Sequence, residues 1–196
     1  MQAAPAAAPR RRRNANRNRN RNSEMNMLTG GTGDVKPEML TYSAVMSAAD
    51  TTTTTTTALP ILRNFSSGNG SRAQIVEILK AFIFLPAPVE VDSDITVLIG
   101  TKNLGTTNGN FGDPSIFAAA GNQMLLTTSG QVVYDRLRVI DLTDGAGNGI
   151  LVATDNIFTQ ISSSTTSSVN TTRVKLLYRV YAASVTEYVG IVQGQQ

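Results

Sequence analysis

The residues best suited to chemistry are seven arginines in the first 22 positions. Arg10, Arg11, Arg12, Arg13, Arg17, Arg19 and Arg21 are set among asparagines in PRRRRNANRNRNRN (9–22), with no acid before Glu24. A guanidinium fork matches phosphate oxygens and stays charged at any biological pH. Asparagine is small and polar, disfavours helix and can hydrogen-bond to sugars and bases. The segment holds no aromatic residue, so it cannot stack on bases as single-strand readers do. The chemistry implied is phosphate binding with little sequence preference. If all seven arginines engage one single strand, log K should fall with log salt at a slope of roughly −5, from ~0.7 per phosphate. The same run has the composition of a nuclear-import signal, a role compatible with the first.

Further cations follow in the body. Arg173, Lys175 and Arg179 alternate along one stretch, and Arg136 and Arg138 along another. Both sets are candidate phosphate contacts. Two other readings stand beside that one: ordinary outward charge on an antiparallel sheet, and contacts between subunits. Asp92, Asp94, Asp113, Asp135, Asp141, Asp144 and Asp155 lie near turn signals. Oxygen-rich clusters can hold Ca²⁺, but EF-hand spacing is absent and turn formation accounts for aspartates in such places.

Catalysis finds little material. The chain has no His and no Cys, which removes the commonest general base, thiol chemistry, disulfides and any Cys-based zinc site. GGTGDVK (30–36) lacks phosphate-loop spacing, GTTNGNFG (105–112) opens no helix, and Gly-x-Ser-x-Gly does not occur. The expectation is a protein that is not an enzyme and has no cofactor.

The elements that must position these residues divide the chain in two. Seven of the 17 Lys and Arg lie in the arginine segment, so the remaining 174 residues carry ten against 14 Asp and Glu and net −4. Residues 1–24 read as a disordered basic arm, because like charges repel and nothing apolar offsets the ordering entropy. Residues 25–37, with Gly30, Gly31 and Gly33, read as a hinge, and 38–196 as one domain. Hydrophobic residues make up 41 %, enough for a core, yet no run reaches the length of a membrane helix and the N-terminus has no apolar signal segment. A soluble, cytosolically made protein is expected, and the Asn-x-Ser/Thr sites at Asn64, Asn69 and Asn170 are expected to be idle.

From residue 38 onward β-branched runs are punctuated by turn residues. Strands are predicted over 40–48, 94–101, 123–129, 131–142, 150–155 and 186–193. Thr51–Thr57 is predicted as an edge strand or extended loop. A short helical turn is predicted over SIFAAAG (115–121), and loops over 64–71, 102–114, 144–149 and 161–170. In SRAQIVEILKAF (71–82), Ile75, Ile78, Leu79 and Phe82 fit helical spacing, but the following Ile83, Phe84 and Leu85 favour a long strand. TRVKLLYRVYA (172–182) alternates most cleanly. It sets Val174, Leu176, Tyr178 and Val180 against Arg173, Lys175, Leu177, Arg179 and Tyr181. Eight or nine strands with little helix predict an all-β sandwich, jelly roll or barrel.

The order of several patches resembles a known group. IVEILKAFIFLP (75–86) is similar to the early strand of the single jelly-roll coat proteins of satellite tobacco necrosis virus type, which also occur in circular single-stranded DNA viruses that encode a Rep protein. TKNLGTTNGNFGDPSIFA (101–118) resembles the loop and short helix that follow in that group, and TEYVGIVQGQQ (186–196) their C-terminal strand. The resemblance implies an eight-stranded jelly-roll sandwich of two four-stranded antiparallel sheets, ordered BIDG and CHEF. It further implies a T=1 shell of about 60 identical copies, with arms inside packaging a single-stranded genome, DNA rather than RNA. Some relatives hold Ca²⁺ between subunits, but no ligand set transfers to this sequence residue by residue. The implied location is the virion, with a host-cytoplasmic phase, nuclear import through the arm, and no membrane partner. Two alternatives remain open: a cellular non-specific nucleic-acid-binding β-sandwich protein, and a ligand-binding jelly roll such as a lectin. The absence of Trp weighs against the lectin, because sugar sites favour aromatic platforms.

Overall fold

The computed structural model describes residues 36–60, 72–86, 93–107, 109–123, 137–164 and 169–194, all within the compact unit Val35–Gln196. Among these residues nine strands and one helix follow in order: β1 (Glu38–Val45), β2 (Thr52–Ala58), β3 (Arg72–Phe84), β4 (Asp94–Gly100), β5 (Ile116–Gln123), β6 (Leu137–Asp141), β7 (Ile150–Val152), β8 (Asn156–Ser164), β9 (Thr171–Ser184) and α1 (Val185–Gly194).

The strands form two antiparallel sheets. One runs β1-β9-β3-β6, with β7 also paired to β3; the other runs β2-β8-β4-β5. With β6 and β7 taken together as the seventh strand, this is the BIDG and CHEF order of a jelly roll. The expected four-strand count differs in one place. The G position is a single edge strand interrupted by residues 142–149: Leu137–Asp141 pair with Lys80–Phe84, and Ile150–Val152 pair with Val76–Ile78.

The core lies between the sheets. Val76, Ile78, Ala81, Ile83 and Leu85 from β3 and its end, Val174 and Leu176 from β9, and Ile95, Val97 and Ile99 from β4 meet Ile157 and Ile161 from β8. Alternation along β9 follows the predicted phase, with Val174, Leu176 and Tyr178 buried and Arg173 and Lys175 exposed. Tyr42 of β1 and Thr159 of β8 share a 2.8 Å hydrogen bond between their hydroxyls, from one sheet to the other. Burial raises the Tyr42 pKa well above its ordinary value.

Three predicted elements are corrected, the first being the loop over 161–170, whose residues 161–164 end the strand β8 because β2 and β4 both pair with it. SIFAAAG is not a helical turn: Ile116–Gln123 is a strand, because β4 offers a free edge and takes it as partner along its whole length. Small residues such as Ala118–Ala120 have no strand preference of their own, and the pairing decides. TEYVGIVQ is not a strand but part of α1. The ladder between β9 and β3 ends at Arg72↔Ser184, and β1 leaves β9 at Tyr178. Beyond Ser184 no strand among the described residues pairs with the chain, and the backbone satisfies its own polar groups in a helix. Tyr188 and Val192, four residues apart, share one helix face and line a hollow of about 280 Å³ with Ala153, Asn156 and Phe158. The ambiguous segment 72–84 is a long strand, and the Thr run is the edge strand β2. No helix among the described residues is long and apolar enough to cross a membrane.

Candidate functional site

The arm residues Arg10, Arg11, Arg12, Arg13, Arg17, Arg19 and Arg21 lie outside the described residues, as do Arg136, Asp92 and Asp135. What the structure places is the outer face of the β1-β9-β3-β6/β7 sheet, and cross-strand register builds it row by row. The first row is Ser43, Arg173, Phe84 and Leu137; the second is Thr41, Lys175, Phe82 and Val139; the third is Met39, Leu177, Lys80 and Asp141. The next row along β9 sets Arg179 against Glu77 and Leu151.

A β-bulge creates this face. Register shifts between Ile78 and Lys80, so Leu79 is an extra residue on β3. Before it, Val76 and Ile78 point into the core; after it, Ala81 and Ile83 do. Without the extra residue strict alternation would drive Lys80 and Phe82 inward, since a one-residue slip exchanges the two faces of a strand. The bulge therefore turns Lys80, Phe82 and Phe84 outward. Its place is fixed from the neighbouring edge. The Leu142 amide donates to the Leu79 carbonyl at 2.9 Å. Gly149 passes so close that a Cβ there would sit 2.2 Å from the Ile78 carbonyl oxygen.

The two ends of the face differ in charge pairing. Glu77 is buried, and its carboxylate accepts from Arg179 Nε at 2.9 Å, Tyr181 Oη at 2.6 Å and the Gly149 amide at 2.7 Å. Arg179 also donates to the Gly147 carbonyl at 2.8 Å and lies 5.7 Å from the centre of the Tyr181 ring. Its side chain is 15 % exposed and that of Glu77 4 %. Arg179 is thus held in a largely buried ion pair that clamps loop 142–149. Burial first, then the Glu77 contact, push the Tyr181 pKa up to about 12. In the middle row Lys80 pairs with Asp141 at 3.0 Å. The Thr143 hydroxyl, followed by Lys80, holds the Asp141 pKa down at about 2.

Arg173 and Lys175 are exposed at the other end and make no ion pair with any described residue. Around them stand Met39 at 51 %, Phe84 at 42 %, Leu137 at 45 % and Val139 at 54 % exposure. Arg173 and Lys175 line a hollow of about 470 Å³ with Met39, Phe82, Phe84 and Leu137. Arg138 is separated from them, because it lies in register with core-facing Ile83, on the opposite side of β6 from Leu137 and Val139. Sequence reasoning had singled out Arg173 and Lys175 but not Phe82 and Phe84, whose outward direction depends on the bulge.

The aspartates mostly serve turns. Asp113 accepts from the Ser115 amide and hydroxyl, Asp141 from those of Thr143, and Asp144 from the amides of Ala146 and Asn148. Asp94 accepts from the Ser164 amide and hydroxyl across to β8. Among the described residues no three acidic groups gather as a metal site. Loop 102–114 is held by buried Gln160, whose amide nitrogen donates to the carbonyls of Gly105 and Thr107 and whose oxygen accepts from the Gly109 amide.

Among solved structures, the chain is similar to VP1 of New Jersey polyomavirus in its apo form, with TM-score 0.47 and 8 % identity over 76 % of this chain and 100 % of that one. It is similar also to Merkel cell polyomavirus VP1 in complex with disialyllactose (TM-score 0.46, 10 % identity, 77 % of this chain and 96 % of that one). The same protein as an unassembled pentamer gives TM-score 0.45 and 10 % identity over 78 % and 97 %. No family model matches the chain, and no curated protein matches it. The jelly-roll assignment rests on the strand order above.

Proposed function

We propose that this chain is the coat protein of a small icosahedral virus, closing into a T=1 shell of about 60 copies and packaging a single-stranded genome through its arginine arm. The observation that carries the reading is one junction. A segment with seven arginines and no acid precedes the first strand of a BIDG/CHEF sandwich whose chain otherwise nets −4. A shell built from one short gene must use symmetry, and a sandwich offers rigid, broad sides for repeated contacts. An acidic body repels a polyanion, so the neutralising charge is carried on a separate segment. Sixty arms bring about 420 arginine charges, enough to offset a sizeable share of a small genome if each contacts one phosphate. The resemblance to coat proteins of satellite tobacco necrosis virus type favours single-stranded DNA as cargo. The proposed location is the virion, after a host-cytoplasmic stage with nuclear import through the arm. Ca²⁺ between subunits belongs to the same proposal, without assigned ligands.

Negative-stain microscopy of the purified protein, with extraction of nuclease-protected nucleic acid from the same fraction, tests it. Uniform closed spheres holding protected strands are expected, and the sugar chemistry of those strands distinguishes DNA from RNA. A monomer or small oligomer without protected strands, across a range of salt and Ca²⁺, overturns the reading in favour of a cellular nucleic-acid-binding protein.

A further inference from the structure

We propose that the outer face of the β1-β9-β3-β6/β7 sheet is a second, ordered site for single-stranded nucleic acid. In this site bases stack on Phe84 and Phe82 while Arg173 and Lys175 hold the adjoining phosphates. The inference takes the identity of the cargo from the proposed function and adds a division of labour. The arm has cations but no ring, whereas this face has both.

Register supplies the geometry. Phe84 is the cross-strand partner of Arg173 and Phe82 that of Lys175, so each ring has a cation beside it on the neighbouring strand, roughly 4.7–4.9 Å away across the ladder. The two ring–cation pairs repeat two residues apart, roughly 6.6–6.8 Å along the strand, a step that an extended single strand can follow. Ring faces accept any base and read none, which suits a cargo of arbitrary sequence. Met39 and Leu137 complete the walls of the hollow.

Charge selects the occupant. Arg173 and Lys175 are exposed and without an ion-pair partner among the described residues, whereas Arg179 on the same face of β9 is neutralised by Glu77. A two-fold contact between copies through this patch would set its cations against themselves; a polyanion answers them. The bulge at Leu79 adds independent weight. Without it Phe82 would turn inward, and bulges are a recurring means of re-aiming side chains beside functional sites.

The test uses the full chain and two phosphodiester strands of equal length, one carrying bases and one abasic, titrated at raised salt, where the arm's contribution is weakened. The native chain should prefer the base-bearing strand by roughly fivefold or more, the lower end of base–aromatic stacking. Phe84→Leu keeps apolar bulk without the ring and should abolish most of that preference while leaving the abasic strand bound as before; Phe84→Tyr should retain it. Arg173→Gln with Lys175→Gln should lower the salt slope for both strands by roughly 1.4, from ~0.7 per phosphate contact. Equal affinity of the native chain for the two strands overturns the proposal. So does a preference that survives Phe84→Leu, and if that variant also blocks particle formation the face is a contact between copies. Failure to form shells bears on the coat-protein reading alone, because base preference is measured whether or not particles form.

Discussion

Arg179 and Arg173 lie on one strand, on one face, six residues apart, and have opposite fates. Arg179 meets Glu77 on β3 and is sealed into a polar node with Tyr181 and the loop glycines. Arg173 meets Phe84 on the same β3 and stays in water. Alternation along β9 gives both residues the same direction, and the neighbouring strand decides what each does with its charge. One end of the face thereby ties its charge into the fold, and the other leaves its charge in water.

The contrast predicts an unequal response to mutation. Glu77→Ala should destabilise the fold by about 3–5 kcal/mol, because it leaves a largely buried guanidinium unpaired and removes the acceptor of Tyr181 and Gly149. Chemical denaturation measures it, and a loss below 1 kcal/mol would mean that the node is far wetter than its geometry implies. Gly149→Ala should cost about 1–3 kcal/mol, since its Cβ would collide with the Ile78 backbone and push β7 off the bulge. A denaturation midpoint equal to that of the parent would show that this edge yields freely.

Alkaline pH probes the same node. Tyr181, pushed to about 12, holds its proton more tightly folded than the ~10 of an unfolded chain. Its contribution is complete below pH ~10 and is lost as pH rises through about 12. Tyr178 follows the same course, raised to about 12 by burial and then by its hydrogen bond to Glu38. Phenolate absorbance followed against pH should show these two groups ionising late, together with loss of fold, and an early, reversible titration of both would contradict the burial. The smallest effect belongs to the open end. Arg173→Gln with Lys175→Gln should change stability by no more than about 0.5 kcal/mol, as exposed substitutions do. A large loss on thermal melting would show these cations to be structural after all.

Legibility in the sequence followed locality. The alternation of 172–182, the Thr-rich edge strand and the turns around Gly145 and Gly147 were readable, because each depends on neighbours along the chain. Gly145 and Gly147 have φ of +83° and +90°, where side chains are rarely tolerated. The segments 116–123, 161–164 and 185–194 are not legible in the sequence because their fate rests on edges elsewhere: β4 offers one to β5 and one to β8, and no described strand pairs with the chain beyond Ser184. The bulge was hidden for a related reason. Ile75, Ile78, Leu79 and Phe82 imitate helical spacing although Ile78 faces the core and Phe82 the outside, because apolar residues stand on both faces of β3 and no alternation marks the extra residue.

The sequence by itself determined the division into an arginine-rich segment and an acidic β-rich body, because charge and β-branching are sums over residues. It also determined the phase of β9, because alternation is a property of one strand. Which cation is neutralised and which is offered, and that two phenylalanines face outward beside the open pair, were decided only by tertiary structure. Those outcomes depend on which residues of β3 stand opposite β9, and that register is set by a single extra residue at Leu79.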